Sequence, residues 1–245
     1  MGNEYINITA ENINTEHLCC IIRTKKANDG IEAKRKWLSD RINEGHVFRK
    51  LDVKDCVFIE YAPLEKSWVP IIGDNFIYIY CLWNENLKGQ GYGTALMNYC
   101  IEDARAKEKS GICMLGAKKQ KHWLSDQAFA KKFGFEIVDS TQNGYDLLAL
   151  SFDGTKPTFA RNAKQERIQS KELTIYYDNQ CPFVYKSIEA AKKYCELNNV
   201  PVMIHKVDSL EQAKKMPCVF NNWAVFYNGK FVTVNLLNDL SKIVK

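Results

Sequence analysis

The chain has 245 residues, a formal charge of +5 and 46% hydrophobic residues, enough for one large domain or two small ones with an ample core. The positive charge is spread through mixed-sign stretches with no extended basic face, which argues against a nucleic-acid partner. No leader and no apolar run of about 18 residues is visible, so the expectation is a soluble, cytoplasmic protein without a membrane partner.

In chain order, residues 5–8 read as a short strand, and 15–24 and 33–44 carry apolar residues at helical spacing, with Thr15 and Asp29 as start signals. Strands are expected near 47–51, 56–63, 67–72 and 75–83. A helix at 93–110, a strand at 112–116, a helix at 125–133 and strands at 136–139 and 145–152 follow. This order predicts an α/β first domain, residues 1–152, built on a mixed sheet with helices on its faces. Between 153 and 171 the pattern breaks: Gly154, Pro157 and the charged run 161–167 lack a hydrophobic period, which places a linker there. A second, smaller α/β domain at 172–245 begins with a strand at 173–177. A helix from 183 to about 198, a strand at 202–207 and a short helix at 209–214 come next. Strands at 223–227 and 230–234 are joined at Asn228-Gly229, a strong hairpin signal, and a helix at 237–244 ends the chain.

The motif that carries chemistry is Lys88-Gly89-Gln90-Gly91-Tyr92-Gly93, lying between the aromatic-rich strand and the helix that starts at about Thr94. A glycine loop opening a helix leaves several N–H groups unpaired at the positive end of the helix dipole, which suits a pyrophosphate. Side chains at Gly89, Gly91 or Gly93 would hold the phosphate off the backbone or forbid the required dihedrals. The competing reading is a glycine-rich turn with no ligand. A dinucleotide fingerprint needs G-x-G-x-x-G and a phosphate-loop NTPase needs G-x-x-x-x-G-K followed by Ser or Thr; neither is present.

The segment resembles motif A of the GNAT superfamily of acyl-CoA N-acyltransferases, with Lys88 where Arg or Gln is usual and Gly91 and Gly93 in register. The run ending Ala128-Phe129-Ala130-Lys131-Lys132-Phe133-Gly134-Phe135 resembles the family's late helix and its Gly-Phe. This resemblance implies acetyl-CoA as co-substrate. Backbone groups of Cys81, Leu82 and Trp83 would pair with the pantetheine arm, and Lys88, Gly89, Gln90, Gly91, Tyr92, Gly93 and Thr94 would hold the pyrophosphate. The basic cluster 118–122 then reads as a solvated loop or one that meets coenzyme phosphates. The tail, with Cys181-Pro182 at its first helix and Pro217 before the hairpin, resembles a thioredoxin-like domain and, behind a GNAT domain, the YoaP-like C-terminal domain.

The acid and base are harder to assign. Many family members carry a Tyr four residues before the Gly-Phe, where Ala130 stands here, and an Asn early in the late helix, where Trp123 stands. Another hydroxyl (Tyr92, Tyr99 or Tyr145), or water, would have to protonate the departing thiolate, or it would leave unassisted, which its moderate pKa permits. Glu60 is the candidate base, set against the reading that it is the exposed alternate of a half-buried strand; Glu85 follows the same logic. His46, His122 and His205 read as surface or packing residues. The nine cysteines include no C-x-x-C pair, so neither a metal site nor a disulfide framework is expected. Cys181 stands where a helix N-terminus lowers thiol pKa, and the thioredoxin likeness would bring Cys218 to face it; the alternative is a relic fold used for packing.

The function expected is direct acetyl transfer to a primary amine of a small molecule, with Glu60, Tyr92 and Cys181 as candidate catalytic residues and the tail shaping the acceptor site. A thiol- or soft-metal-ligand-binding protein with a weakly active GNAT domain is the alternative, and acetylation of protein N-termini or lysines a third. An exposed edge strand in either domain could support a homodimer.

Overall fold

The computed structural model describes residues 4–18, 20, 28–236 and 240–244. The first elements are β1 (Tyr5–Asn7), α1 (Asp29–Ile42), β2 (Val47–Leu51), β3 (Val57–Pro63), β4 (Ile71–Ile72), β5 (Phe76–Asn84) and α2 (Tyr92–Ala106). They are followed by β6 (Gly111–Ala117), α3 (Gln127–Lys131), β7 (Glu136–Ser140), β8 (Tyr145–Ser151) and β9 (Thr158–Phe159). The chain continues with β10 (Leu173–Tyr177), α4 (Phe183–Leu197), β11 (Val202–Lys206), α5 (Leu210–Lys214), β12 (Trp223–Tyr227) and β13 (Lys230–Thr233). The helices expected at 15–24 and 237–244 fall partly outside the described residues.

The strands form a seven-stranded sheet in the order β1-β2-β3-β5-β6-β8-β7, mixed because β5 and β6 run parallel and the other pairs antiparallel. A four-stranded sheet, β11-β10-β12-β13, has β10 and β11 parallel and the other pairs antiparallel. Asn228 and Gly229, both at positive φ (52° and 73°), make the expected hairpin turn between β12 and β13. The expected strand at 67–72 shrinks to two residues, which pair with β9 of the 153–171 segment. That segment, although it has no hydrophobic period, is tied down: Phe159, Ala160 and Ala163 are buried, and Asn162 donates to the carbonyls of Lys214 (2.9 Å) and Met216 (2.8 Å).

Both sheets are covered on both faces. In β3, Val57, Ile59 and Tyr61 join the core beneath α2, while Phe58 and Ala62 enter a second core on the opposite face. Tyr78 of β5, Leu115 of β6 and Tyr145 of β8 join that second core, and so do Cys218, Phe220, Phe226 and Phe231 of the C-terminal sheet region. A third core under α4 contains Ile175, Val184, Trp223 and Val225. The order of layers is therefore α2, large sheet, shared core, small sheet, α4. This explains why β3 and β5 are apolar at nearly every position, as in sheets buried on both faces.

Helix α1 begins at Asp29, four residues earlier than its apolar spacing indicated, because the Asn28 side chain accepts from Ile31 N–H at 3.2 Å and caps it. Its first turn abuts the start of α4: a Cβ on Gly30 would lie 2.0 Å from the Pro182 carbonyl oxygen. Gly30→Ala is therefore expected to lower stability by about 1–3 kcal/mol, because backbone must shift to admit one methyl group. Urea unfolding checks this, and an unchanged midpoint would refute the close approach.

Candidate active site

Strands β5 and β6 pair only from Phe76↔Gly111 to Ile79↔Met114; beyond that point β5 stays with β3 and β6 stays with β8. The sheet splays open there, into a cleft of about 900 Å³. Leu82, Trp83, Lys88, Gly89, Gly91, Gly93 and Thr94 line it, as do Ser125 and Ala130 on the far side. Gly91 is the N-cap of α2, at φ 82°, with no side-chain hydrogen bond to the helix end, and the first turn carries no acidic residue. Gly89 is also left-handed, at φ 84°, and a Cβ on either residue would project into open space. These are the features of a cradle for a coenzyme pyrophosphate: free N–H groups, a positive helix end and no obstructing side chain. Gly93 differs, since its φ is ordinary and an added Cβ would meet only Phe129 at 3.6 Å; backbone conformation does not demand glycine there.

Three of the expected coenzyme residues lie off the cleft. Gln90 is exposed and not on its wall, and Cys81 faces the other side of the sheet. A β-bulge is the reason: Glu60 pairs with Cys81 but Tyr61 with Ile79, so Tyr80 is an extra residue and both Tyr80 and Cys81 turn toward the shared core. Tyr92 lines neither cavity. As the first residue of α2 it packs on the core beneath that helix, toward Tyr5, so the structure does not support a catalytic role for it. Tyr99 and Tyr145 are likewise directed elsewhere, Tyr99 to Asn7 and Tyr145 to Thr233 and Val234.

A second cavity, of about 310 Å³, lies between the two sheets and shares Trp83, His122, Trp123 and Leu124 with the cleft. Trp123 is held at φ 69°, unusual for a bulky residue, and its ring packs against Phe183 of α4 at 5.2 Å. Cys20, Cys81, Cys181, Glu60, Gln180, Asn221 and Asn222 also line this cavity.

Glu60 is not an exposed alternate. It shares the face of Phe58 and Ala62, where α1 and the turn before α4 cover it, and it is fully buried. Lys34 of α1, also fully buried, donates to Glu60 Oε2 at 2.7 Å and to the Gln180 carbonyl at 2.6 Å. Gln180 Nε2 donates to the same Oε2 at 2.8 Å, and His46 Nε2 lies 2.9 Å from Oε1. Burial pushes the Glu60 carboxyl up, but Lys34 and His46 outweigh it and leave it below the ordinary value. Burial likewise lowers His46 and keeps its imidazole neutral near pH 7 despite Glu60. His46 packs as expected, against Trp37 and Tyr80, and in addition hydrogen-bonds Glu60. Lys34 and Gln180 were invisible to sequence reasoning because their partners lie 26 and 120 residues away. The signal that existed was a charged residue, Glu60, in an otherwise apolar strand.

Cys181 lines the cavity next to the Pro182 cap of α4, but burial overrides the helix end and pushes its thiol up to about 11, so it is not a thiolate at neutral pH. Cys218 does not meet it in either cavity: it is fully buried in the shared core and lines neither one. Among the described residues, no group of three or more His, Cys, Asp or Glu side chains is arranged to hold a metal ion, and no helix is long and apolar enough to cross a membrane.

Two family models match this chain: that of the acetyltransferase (GNAT) family over residues 18–135 and the YoaP-like model over residues 201–244. A curated relative from Bacillus subtilis (strain 168), described as "Uncharacterized N-acetyltransferase YoaP", is 37% identical over 237 residues, covering 96% of this chain and 94% of the relative. The chain belongs to the GNAT acetyltransferase family. Among solved structures it is similar to the PaiA N-acetyltransferase of Thermoplasma acidophilum in complex with coenzyme A, at 15% identity, TM-score 0.44, 62% of this chain and 100% of the other. The ribosomal-protein-alanine N-acetyltransferase of Brucella melitensis gives 16% identity and TM-score 0.44, with 61% and 99% coverage. This GNAT protein is an acyltransferase whose co-substrate is acetyl-CoA.

Directly after β10, Asp178 is fully buried; its Oδ1 accepts from Gln180 N–H at 2.8 Å, and Oδ2 has no hydrogen-bond partner among the described residues. Burial raises its carboxyl to about 7. The unfolded chain ionises this group near pH 4 while the folded chain keeps the proton, so the native state binds more protons and stability falls as pH rises from about 4 to 7. Asp178→Asn is expected to leave stability at pH 4 nearly unchanged and to raise it at pH 8, by at most about 4 kcal/mol. Urea unfolding at the two pH values checks the sign; equal effects at both would refute it.

Proposed function

We propose that this GNAT protein transfers the acetyl group of acetyl-CoA directly to the primary amine of a small molecule, and that the C-terminal unit, residues 172–245, supplies one wall of the acceptor site. The observation that carries this reading is the shared lining of the two cavities: the coenzyme cleft and the inter-sheet cavity meet at Trp83, His122, Trp123 and Leu124. A thioester lying in the splay would present its carbonyl at that junction, and an amine in the inter-sheet cavity would approach from the other side. In this reading Gly89 to Thr94 hold the pyrophosphate, and the backbone of Leu82 and Trp83 guides the pantetheine arm. The Leu82 N–H already donates to Ser125 Oγ at 3.2 Å, which puts one hydroxyl on the cleft wall near the arm.

Glu60 takes the amine proton. A nitrogen adding to a thioester becomes strongly acidic, so a carboxylate of lowered pKa suffices; as the C–N bond forms the C–S bond breaks, coenzyme A leaves as a thiolate that takes a proton from water, and His46, donating from Nε2 to the other oxygen, holds Glu60 in place. The order β11-β10-β12-β13 supports reading the C-terminal unit as thioredoxin-like, here in a recognition role rather than a redox one. Calorimetry with acetyl-CoA, followed by mass-spectrometric detection of acetylated products from an amine panel, tests the reading. Micromolar binding and at least one acetylated small amine are expected; no binding would overturn it. A second reading, a cavity that captures thiophilic ligands, draws on Cys20, Cys81 and Cys181 sharing one cavity. It requires Cys181 to be trapped by an alkylating probe and protected by the ligand, not by acetyl-CoA.

A further inference from the structure

The inter-sheet cavity has a chemical character that narrows its occupant. Its volume, about 310 Å³, is at the small end of ligand sites. Its walls are mostly aromatic and aliphatic: Phe58, Tyr80, Trp83, Trp123, Phe183 and Leu236. Trp123 and Phe183, with ring centres 5.2 Å apart, form one end against which a flat ring can pack.

The polar groups on the wall are largely engaged. Glu60 receives three donors and is neutralised by Lys34. The Asn221 amide oxygen accepts from Tyr78 at 2.6 Å, and the Asn222 amide nitrogen donates to Gln180 at 2.9 Å. Glu85, half-buried beside the Trp83 indole, is the other carboxylate among the described wall residues. Among the described wall residues only Glu85 is left to meet an ammonium group, so a polyamine or aminosugar would bury at least one more ammonium without an anion. A peptide would bury backbone amides with few open partners.

We infer that the acceptor is a small monoamine on an apolar, aromatic body, of the arylalkylamine class, carrying no second charge. The inference rests on the acetyl-transfer reading above and specifies its substrate. The nitrogen points toward Glu60 and the coenzyme junction, and the ring lies against Trp123 and Phe183.

The experiment compares kcat/KM of the full chain for 2-phenylethylamine and tryptamine with that for spermidine, kanamycin and an alanyl peptide, products being identified by mass spectrometry. A preference of at least ~100-fold for the two arylalkylamines is expected, from the burial of roughly 150 Å² of ring and chain. In parallel, Phe183→Glu is expected to lower that preference at least tenfold while acetyl-CoA affinity measured by calorimetry stays the same. Comparable or better turnover of spermidine, kanamycin or the peptide would overturn the assigned class and leave acetyl transfer standing, as would an unchanged preference in Phe183→Glu. Tight acetyl-CoA binding with no amine acetylated in either group would overturn both readings.

Discussion

Lys34→Met is expected to destabilise the protein by about 3–5 kcal/mol, the usual cost of leaving one member of a buried ion pair without its partner. Lys34 and Glu60 have no exposed surface, so water cannot compensate the abandoned carboxylate. The Gln180 carbonyl loses its Lys34 donor at the same time, which removes a bond that fastens the turn before α4 to α1. The decisive comparison is with the double variant Lys34→Met/Glu60→Gln. It removes both charges and keeps an amide for the Gln180 and His46 contacts, so it should recover a large part of the loss. Urea unfolding of the single and double variants measures this; a double variant no more stable than Lys34→Met would mean that the ion pair is not what holds the site.

Gly91→Val carries the second large effect. At φ 82° a β-branched residue is strained, at a cost of roughly 1–2 kcal/mol, which a folded domain can tolerate. The larger effect falls on the ligand. The Val side chain would project into the open space at the start of α2, where the pyrophosphate would approach the backbone N–H groups. Acetyl-CoA affinity is expected to fall at least ~100-fold, about 3 kcal/mol, with a far-ultraviolet circular dichroism spectrum like that of the parent. Undiminished affinity in calorimetry would displace the pyrophosphate from this loop.

Much of the first half was legible because its signals are local. The glycine loop and the strand before it, the Asn228-Gly229 turn and the runs of periodic apolar residues can each be read within about fifteen residues. What was not legible depends on distance. Glu60 reads as a solvent-facing alternate until α1 and the turn before α4 are laid over it, and nothing near residue 60 announces them. The tail supplies Gln180, and α1 supplies Lys34, whose surroundings look like an ordinary amphipathic helix. Tyr92 failed as a catalytic candidate because one residue of helix phase decides which side of α2 it occupies, and the helix starts at Tyr92 itself. Cys181 failed as a thiolate because helix-end electrostatics are local, whereas the burial that dominates its pKa comes from the assembled cavity. The bulge at Tyr80 turns the Cys81 side chain away from the cleft, and no residue type in that strand signals it.

The shared core has a consequence for how this chain can be cut and how it can change. A chain ending at residue 152 would take Asn221 from Tyr78, and Phe231 and Thr233 from Tyr145, and leave those now-buried rings facing solvent. Such a fragment should aggregate rather than survive as a smaller catalyst. Heating the intact chain should accordingly give one calorimetric transition, not two, since neither sheet can shed the other without wetting the same apolar layer. Relatives built on this plan can therefore diversify the tail only through residues that leave the layer closed, and the loops around the acceptor chamber are where that freedom remains.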